Sequence, residues 1–315
     1  MSPVYWPVFS KRSEMVSFVL VIIVSLIFPG IVIRTKSIAS GRKGPGIMQP
    51  LRDIARLLRK GSVFSETTTL IFQIAPSINF ASVLIAIMML PLGHSRGLIS
   101  FPGDFILFAY VLAAGKFFMI LSAMDTGSSF EGMGASREAL FSMLAEPAFF
   151  ILMGSLGLMT GFTSFHQIFM ALHFGSSISY ALGVIGMFVL IMICMVENSR
   201  MPVDDPKTHL ELTMIHEVMI LDNSGFDLGL IMHSTNLKFA MYGSLIANLF
   251  LGDLPVYLTI PLFIGIQGLF AIVVGILESF SARFRMSHNA QFILVLSSLS
   301  LLFFLGVLLM LGKFI

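Results

Sequence analysis

Runs of about twenty residues with almost no charge recur along this chain, and that feature limits its fold more than any other. A helix needs about 20 mainly apolar residues to cross the hydrocarbon core of a bilayer. Scanned at that length, the sequence predicts eight spans: Met15–Ile33, Leu70–Leu92, Phe105–Met124, Ala139–Phe162, Ile178–Val196, Leu228–Leu251, Leu254–Leu277 and Gln291–Leu311. Apolar residues fill nearly every position of each run instead of alternating, so the spans read as helices and not as barrel strands. Composition agrees: the 315 residues are 11% charged, against about 25% in an ordinary soluble domain. The expected fold is an all-α polytopic membrane protein, one integral domain over residues 1–315.

Such a chain is not a soluble enzyme or a disordered regulator, and a formal net charge of +2 is not that of a nucleic-acid binder. Its one cysteine, Cys194, excludes a disulfide framework, an iron–sulfur cluster or a Cys-rich zinc site held by this chain. Pro3, Pro7, Lys11 and Arg12 interrupt the first stretch, Met1–Glu14, so it does not read as a cleavable signal.

Lysine and arginine set the expected orientation. With both termini outside, thirteen basic residues fall on the cytoplasmic side and four outside (Lys11, Arg12, Arg96 and Lys313), while Lys116 and Lys238 lie within spans. No internal repeat of the kind that builds inverted-repeat transporters is visible. Polar residues gather in three loops, 34–69, 125–138 and 197–227. Recognition is therefore expected on the cytoplasmic face.

The first loop carries Gln49–Lys60, whose Leu51, Ile54, Ala55 and Leu58 follow helical spacing with Arg52, Arg56 and Arg59 opposite. That pattern is a basic amphipathic helix, either lying on anionic lipid or forming a docking edge for a partner. Gly44-Pro45-Gly46 before it forces a turn. In the second loop, Arg137 is placed to pair with Asp125, Glu131 or Glu138. The third is the densest acidic stretch, with Glu197, Asp204, Asp205, Glu211, Glu217, Asp222 and Asp227 against Arg200 and Lys207. The inner leaflet is itself negative, so an acidic loop suits a protein partner or proton collection better than lipid. His209 and His216 match no common metal spacing, and no metal site is expected.

Charge inside a span costs about 2.5–3.5 kcal/mol near the bilayer centre, so such residues face protein or water. The candidates are Lys116, Glu146 (followed by Pro147) and Lys238, with Glu197 and Glu278 at span ends. For Glu146 the plain alternative is an ion pair with a lysine. For Lys238 and His233 it is snorkelling toward the interface.

These segments resemble subunit 1 of respiratory complex I and its relatives in membrane-bound group 4 [NiFe] hydrogenases. G-P-G-I-M-Q-P-L-R-D-I-A-R-L-L at Gly44–Leu58 is similar to the family's G-P-x-x-x-Q-P followed by a D-x-x-K/R helix. Glu197–Pro206, E-N-S-R-M-P-V-D-D-P, with Glu211 and Ser224-Gly225 downstream, resembles the family's E-x-x-R-x-P-F-D-x-P-E-A-E-x-E-L and Y-S-G. The D-T-G-S-S-F-E-G-M-G-A-S-R-E stretch at Asp125–Glu138, then Glu146-Pro147, favours the hydrogenase branch, of the formate hydrogenlyase type. The chain departs from the pattern where Lys207 and His209 replace two acids and extra residues precede Ser224.

The resemblance implies a chain without a catalytic centre that anchors a peripheral electron-transfer arm and begins a proton or sodium path. Its implied acidic path residues are Glu146, Glu197, Asp204, Glu211 and Asp222, joined by Lys116 and Lys238 from the span analysis. Its implied structural or docking residues are Gly44, Pro45, Gln49, Asp53, Arg137, Arg200 and Pro202. It implies an iron–sulfur small subunit and a large hydrogenase-like subunit on the cytoplasmic side, antiporter-like and small membrane subunits, and surrounding lipid. No cofactor is expected in the chain itself; iron–sulfur clusters and a [NiFe] site would belong to partners. The implied location is a bacterial or archaeal cytoplasmic membrane. A quinone site formed by the loops, or a stand-alone transporter, are the alternatives.

Overall fold

A computed structural model describes residues 9–172, 177–204, 214–252, 254–282, 284 and 286–312. Its helices are α1 (Phe9–Ala39), α2 (Gln49–Leu57), α3 (Leu70–Met88), α4 (Asp104–Asp125), α5 (Ser129–Thr160) and α6 (Phe165–Ala171). They continue with α7 (Ser177–Glu197), α8 (His216–Met219), α9 (Gly225–Leu251), α10 (Val256–Phe280) and α11 (Met286–Met310). Eight are long, and each corresponds to one expected span. The fold is that of an all-helical, multi-pass membrane protein.

Seven of the eight are apolar enough to cross a membrane by composition alone, and α9 is the one that is not. Its 27 residues include a polar run, His233, Ser234, Thr235, Asn236 and Lys238. It packs against α1, α3, α7 and α10, and from Leu237 to Leu249 every side chain is buried. A helix enclosed by other helices meets protein in place of lipid, so polar groups on it can be satisfied internally.

Around α9 the helices pair off as α3 with α4, α5 with α11 and α1 with α10. Small residues bring them close. A Cβ on Gly115 of α4 would collide with Ser82 Oγ of α3, and one on Gly275 of α10 would lie 2.8 Å from Thr35 Cβ of α1. Aromatic contacts fill the far end, where Phe108 stacks on Phe149 and meets Phe165 edge-on. There Asp104, fully buried at the start of α4, accepts the Phe165 N–H at 2.7 Å and so fixes the entry to α6.

One local expectation changes and another gains its packing partners. Residues 129–138, read as loop, form the first turns of α5. Glycine lowers helix propensity, but here Gly134 is where α8 crosses α5, with Ile215 O 2.9 Å from the position a Cβ would take. The basic amphipathic segment is helical as α2, but it packs against α1 and α9 and buries Ile54. Gln49 Nε2 donates to Asp53 Oδ1 at 2.8 Å within it. Gly44 and Pro45 form the extended link before it, and Gly44 rests against Ser37 of α1 so closely that a Cβ would collide with Ser37 Oγ.

Candidate functional site

Lys116 is the only charged residue on α4 between its terminal aspartates, and the helix turns it inward. Its Nζ donates to Glu197 Oε2 at 2.8 Å and lies 3.5 Å from Glu138 Oε1. The three side chains come from α4, the last residue of α7 and the early turns of α5, and each is at most 10% exposed. Buried charges persist where they are paired, and here one ammonium serves two carboxylates. Lys238, 9% exposed on α9, stands beside the same group. The snorkelling expected of it does not occur, because the helices that enclose α9 leave it no route to the surface. His233, one turn earlier, lies against Phe80 with ring centroids 5.5 Å apart.

Small cavities lie on either side of the Lys116–Glu197 pair. One, of about 30 Å³, is bounded by Glu146, Tyr242 and the pair itself. The other, of about 20 Å³, is bounded by Glu138, Asn198, His216, Lys238 and the pair. Each is large enough for about one or two water molecules. Glu146 stands at the outer surface of the bundle, exposed, beside the equally exposed Pro147. The ion pair with a lysine that the sequence offered Glu146 goes instead to Glu197 and Glu138, with Glu146 across the cavity.

One end of the site is held by Asp204 of the acidic loop. Asp204, fully buried, accepts the backbone N–H groups of Ile215 and His216 through Oδ2 at 3.0 and 3.1 Å. That contact places His216 at the second cavity. Burial holds the His216 imidazole below its ordinary range, partly offset by the nearby Glu138 and Asp204 carboxylates. Arg137 donates to the Met214 carbonyl at 2.9 Å. The acids offered to Arg137 have other contacts: Glu138 faces Lys116, Glu131 accepts the Asp222 N–H, and Asp125 accepts from Thr69. Asp222 itself is exposed and apart from the cluster. Glu211, with Asp205, Lys207 and His209, lies outside the described residues.

A second ionic group stands nearby. Arg200 Nη1 donates to Glu278 Oε1 at 2.7 Å, and Lys36 Nζ meets Glu278 Oε2 at 2.8 Å. The Arg200 guanidinium also covers the Phe239 ring at 4.9 Å. Pro202 follows a cis peptide bond, and its carbonyl accepts the Phe284 N–H. The motif around Arg200 thus ties α7 to α1, α9 and α10. Among the described residues no cluster of metal-ligating side chains is found.

Spans enclosing a buried cation shared by two carboxylates define a multi-pass membrane protein with a buried ionic cluster inside it. The chain belongs to the subunit 1 family of NADH dehydrogenase: the family described as NADH dehydrogenase matches residues 13–309. Hydrogenase-4 component C of Escherichia coli (strain K12) is 32% identical over 233 residues, 74% of this chain and 73% of that protein. Formate hydrogenlyase subunit 4 of the same organism is 28% identical over 254 residues, 78% of this chain and 81% of that one. A chain of the membrane-bound sulfane sulfur reductase, an archaeal respiratory membrane complex, shares the fold with a TM-score of 0.77 at 17% identity, over 94% of this chain and all of that one.

Proposed function

We propose that this chain is the membrane-anchor and ion-translocation-coupling subunit of a hydrogenase-type, complex-I-like oxidoreductase. The observation that carries the reading is the Lys116–Glu197 pair standing between two water-sized cavities, one reaching His216 at the loop end and the other Glu146 at the lateral surface. Proton transfer needs a chain of titratable groups and waters within hydrogen-bond reach. Asn79 Oδ1 and Asn198 Oδ1, buried at the second cavity without a protein donor, are acceptors that bound water would satisfy.

In this reading a redox event on the loop face moves His216 or Glu138, and the balance of charge around Lys116 changes in response. A proton or sodium ion then passes to Glu146, which faces a neighbouring membrane subunit of antiporter type. The loops at the charged end carry the iron–sulfur small subunit and the large subunit, on the cytoplasmic side, with both termini outside. Any iron–sulfur or [NiFe] centre belongs to those partners, and the complex resides in a bacterial or archaeal cytoplasmic membrane. The names and identities of the hydrogenase relatives support this branch over a quinone reductase.

Glu146→Gln tests the reading in the assembled complex reconstituted into vesicles. Electron transfer should continue while ion movement per turnover falls about tenfold or more, the scale on which losing a proton-transfer group acts. Wild-type ion movement in that variant would refute the path.

A further inference from the structure

Where α1 and α10 reach the charged end, they part. They are pressed together at Gly275 and Thr35, and beyond that point a cleft of about 520 Å³ opens between Lys36 and Ser37 of α1, Glu278 of α10 and the link at Arg42 and Lys43. The sequence builds it. Gly41 ends α1 in the left-handed region at φ 66°, and the Arg42 N–H returns to the Ser37 carbonyl at 2.9 Å. Gly44 then presses on Ser37, a position that has no room for a Cβ. The chain therefore folds back along α1 and sets Arg42 and Lys43 at the mouth of the cleft.

The charge there is unbalanced. Glu278 is already met by Lys36 and Arg200, and among the described residues neither Arg42 nor Lys43 has an acidic partner. The rim is apolar where the spanning helices end: Phe280 of α10 is 82% exposed, with Ala39 of α1 across from it. A basic pocket between transmembrane helices, rimmed by exposed apolar side chains at the depth where the helices emerge, suits an anionic lipid headgroup with its acyl chains against the helices.

We infer that this cleft binds an anionic phospholipid, the phosphate lying on Lys36, Arg42 and Lys43 and the acyl chains leaving past Phe280. A soluble anion would gain the charge but not the apolar rim. An acidic segment of a partner protein would gain the charge while leaving Phe280 in lipid.

The test is retention of fluorescent phosphatidylglycerol by the purified assembled complex in phosphatidylcholine nanodiscs. Wild type should retain it in the presence of excess inorganic phosphate. The Arg42→Gln/Lys43→Gln variant should lose affinity about thirtyfold, from the removal of two basic groups near the surface. Arg52→Gln/Arg59→Gln, on the exposed side of α2, should retain it as wild type does. Equal retention in the first variant, equal loss in the second, or displacement by phosphate alone would each overturn the inference. So would a photoreactive group at position 43 that labels a partner subunit and no lipid.

Discussion

The Lys116 ammonium lies 2.8 Å from the Glu197 carboxylate across 81 residues of sequence, with each side chain 10% exposed. Removing one partner of such a pair leaves an uncompensated buried charge. Lys116→Met strands Glu197 and Glu138 together, and the expected loss is about 3–5 kcal/mol. Glu197→Gln should cost less, because Glu138 remains as a counter-ion. The double variant Lys116→Met/Glu197→Gln should be less destabilised than the two single losses added together, since the groups are coupled. Denaturant titration of the full chain in detergent measures all three; strict additivity would mean the pair is not energetically linked.

Gly134 sits where α5 and α8 cross, with Ile215 O 2.9 Å and Met219 N 3.0 Å from the place a Cβ would occupy. Both neighbours are backbone, so neither can rotate away. Gly134→Ala should push α8 off α5 at a cost of about 1–3 kcal/mol, despite alanine's better helix propensity. A stabilised variant, read by thermal unfolding of the purified chain, would show that α8 does not pack there.

Much of the fold was legible because bilayer length and apolar composition specify a long helix without reference to its neighbours. The start of α5 was not, because Gly132 and Gly134 read locally as a loop, and only α8 lying across Gly134 explains that glycine. The site was legible in part. Lys116, Glu146 and Glu197 stand out as charges in or beside apolar runs, but nothing in the spacing of residues 116, 138 and 197 tells that they meet. The burial of Lys238 was hidden for the same reason: it comes from the helices around α9, not from its own segment. Tyr242 and Asp104 carried no signal beyond a single polar letter, although Asp104 is fully buried.

Asp204 holds the backbone that carries His216, by accepting the Ile215 and His216 N–H groups. Asp204→Ala removes the acceptor for two N–H groups, and each one left unpaired costs about 1–3 kcal/mol. Amide exchange over residues 214–220 should quicken in the assembled complex, while Asp204→Asn, which keeps one oxygen, should restore most of the protection. Unchanged exchange in the alanine variant would mean that α8 is held by its packing on α5 alone.

At the far end of the bundle, burial first, then the nearby Arg96 and His94, push His166 down to about 4, and its Nδ1 is buried without a partner. An unfolded imidazole takes up its proton near 6.5. Between those values the unfolded chain binds more protons than the folded one, so stability rises with pH across the window and is level above it. The contribution of neutral His166 is thus full above pH 6.5 and is lost as pH falls toward 4. His166→Phe keeps a ring of similar shape and cannot be protonated. Its melting temperature should therefore vary less than that of wild type between pH 7 and about 4.5, the interval in which the two states differ in proton uptake. A pH dependence identical to wild type would place the titrating group elsewhere.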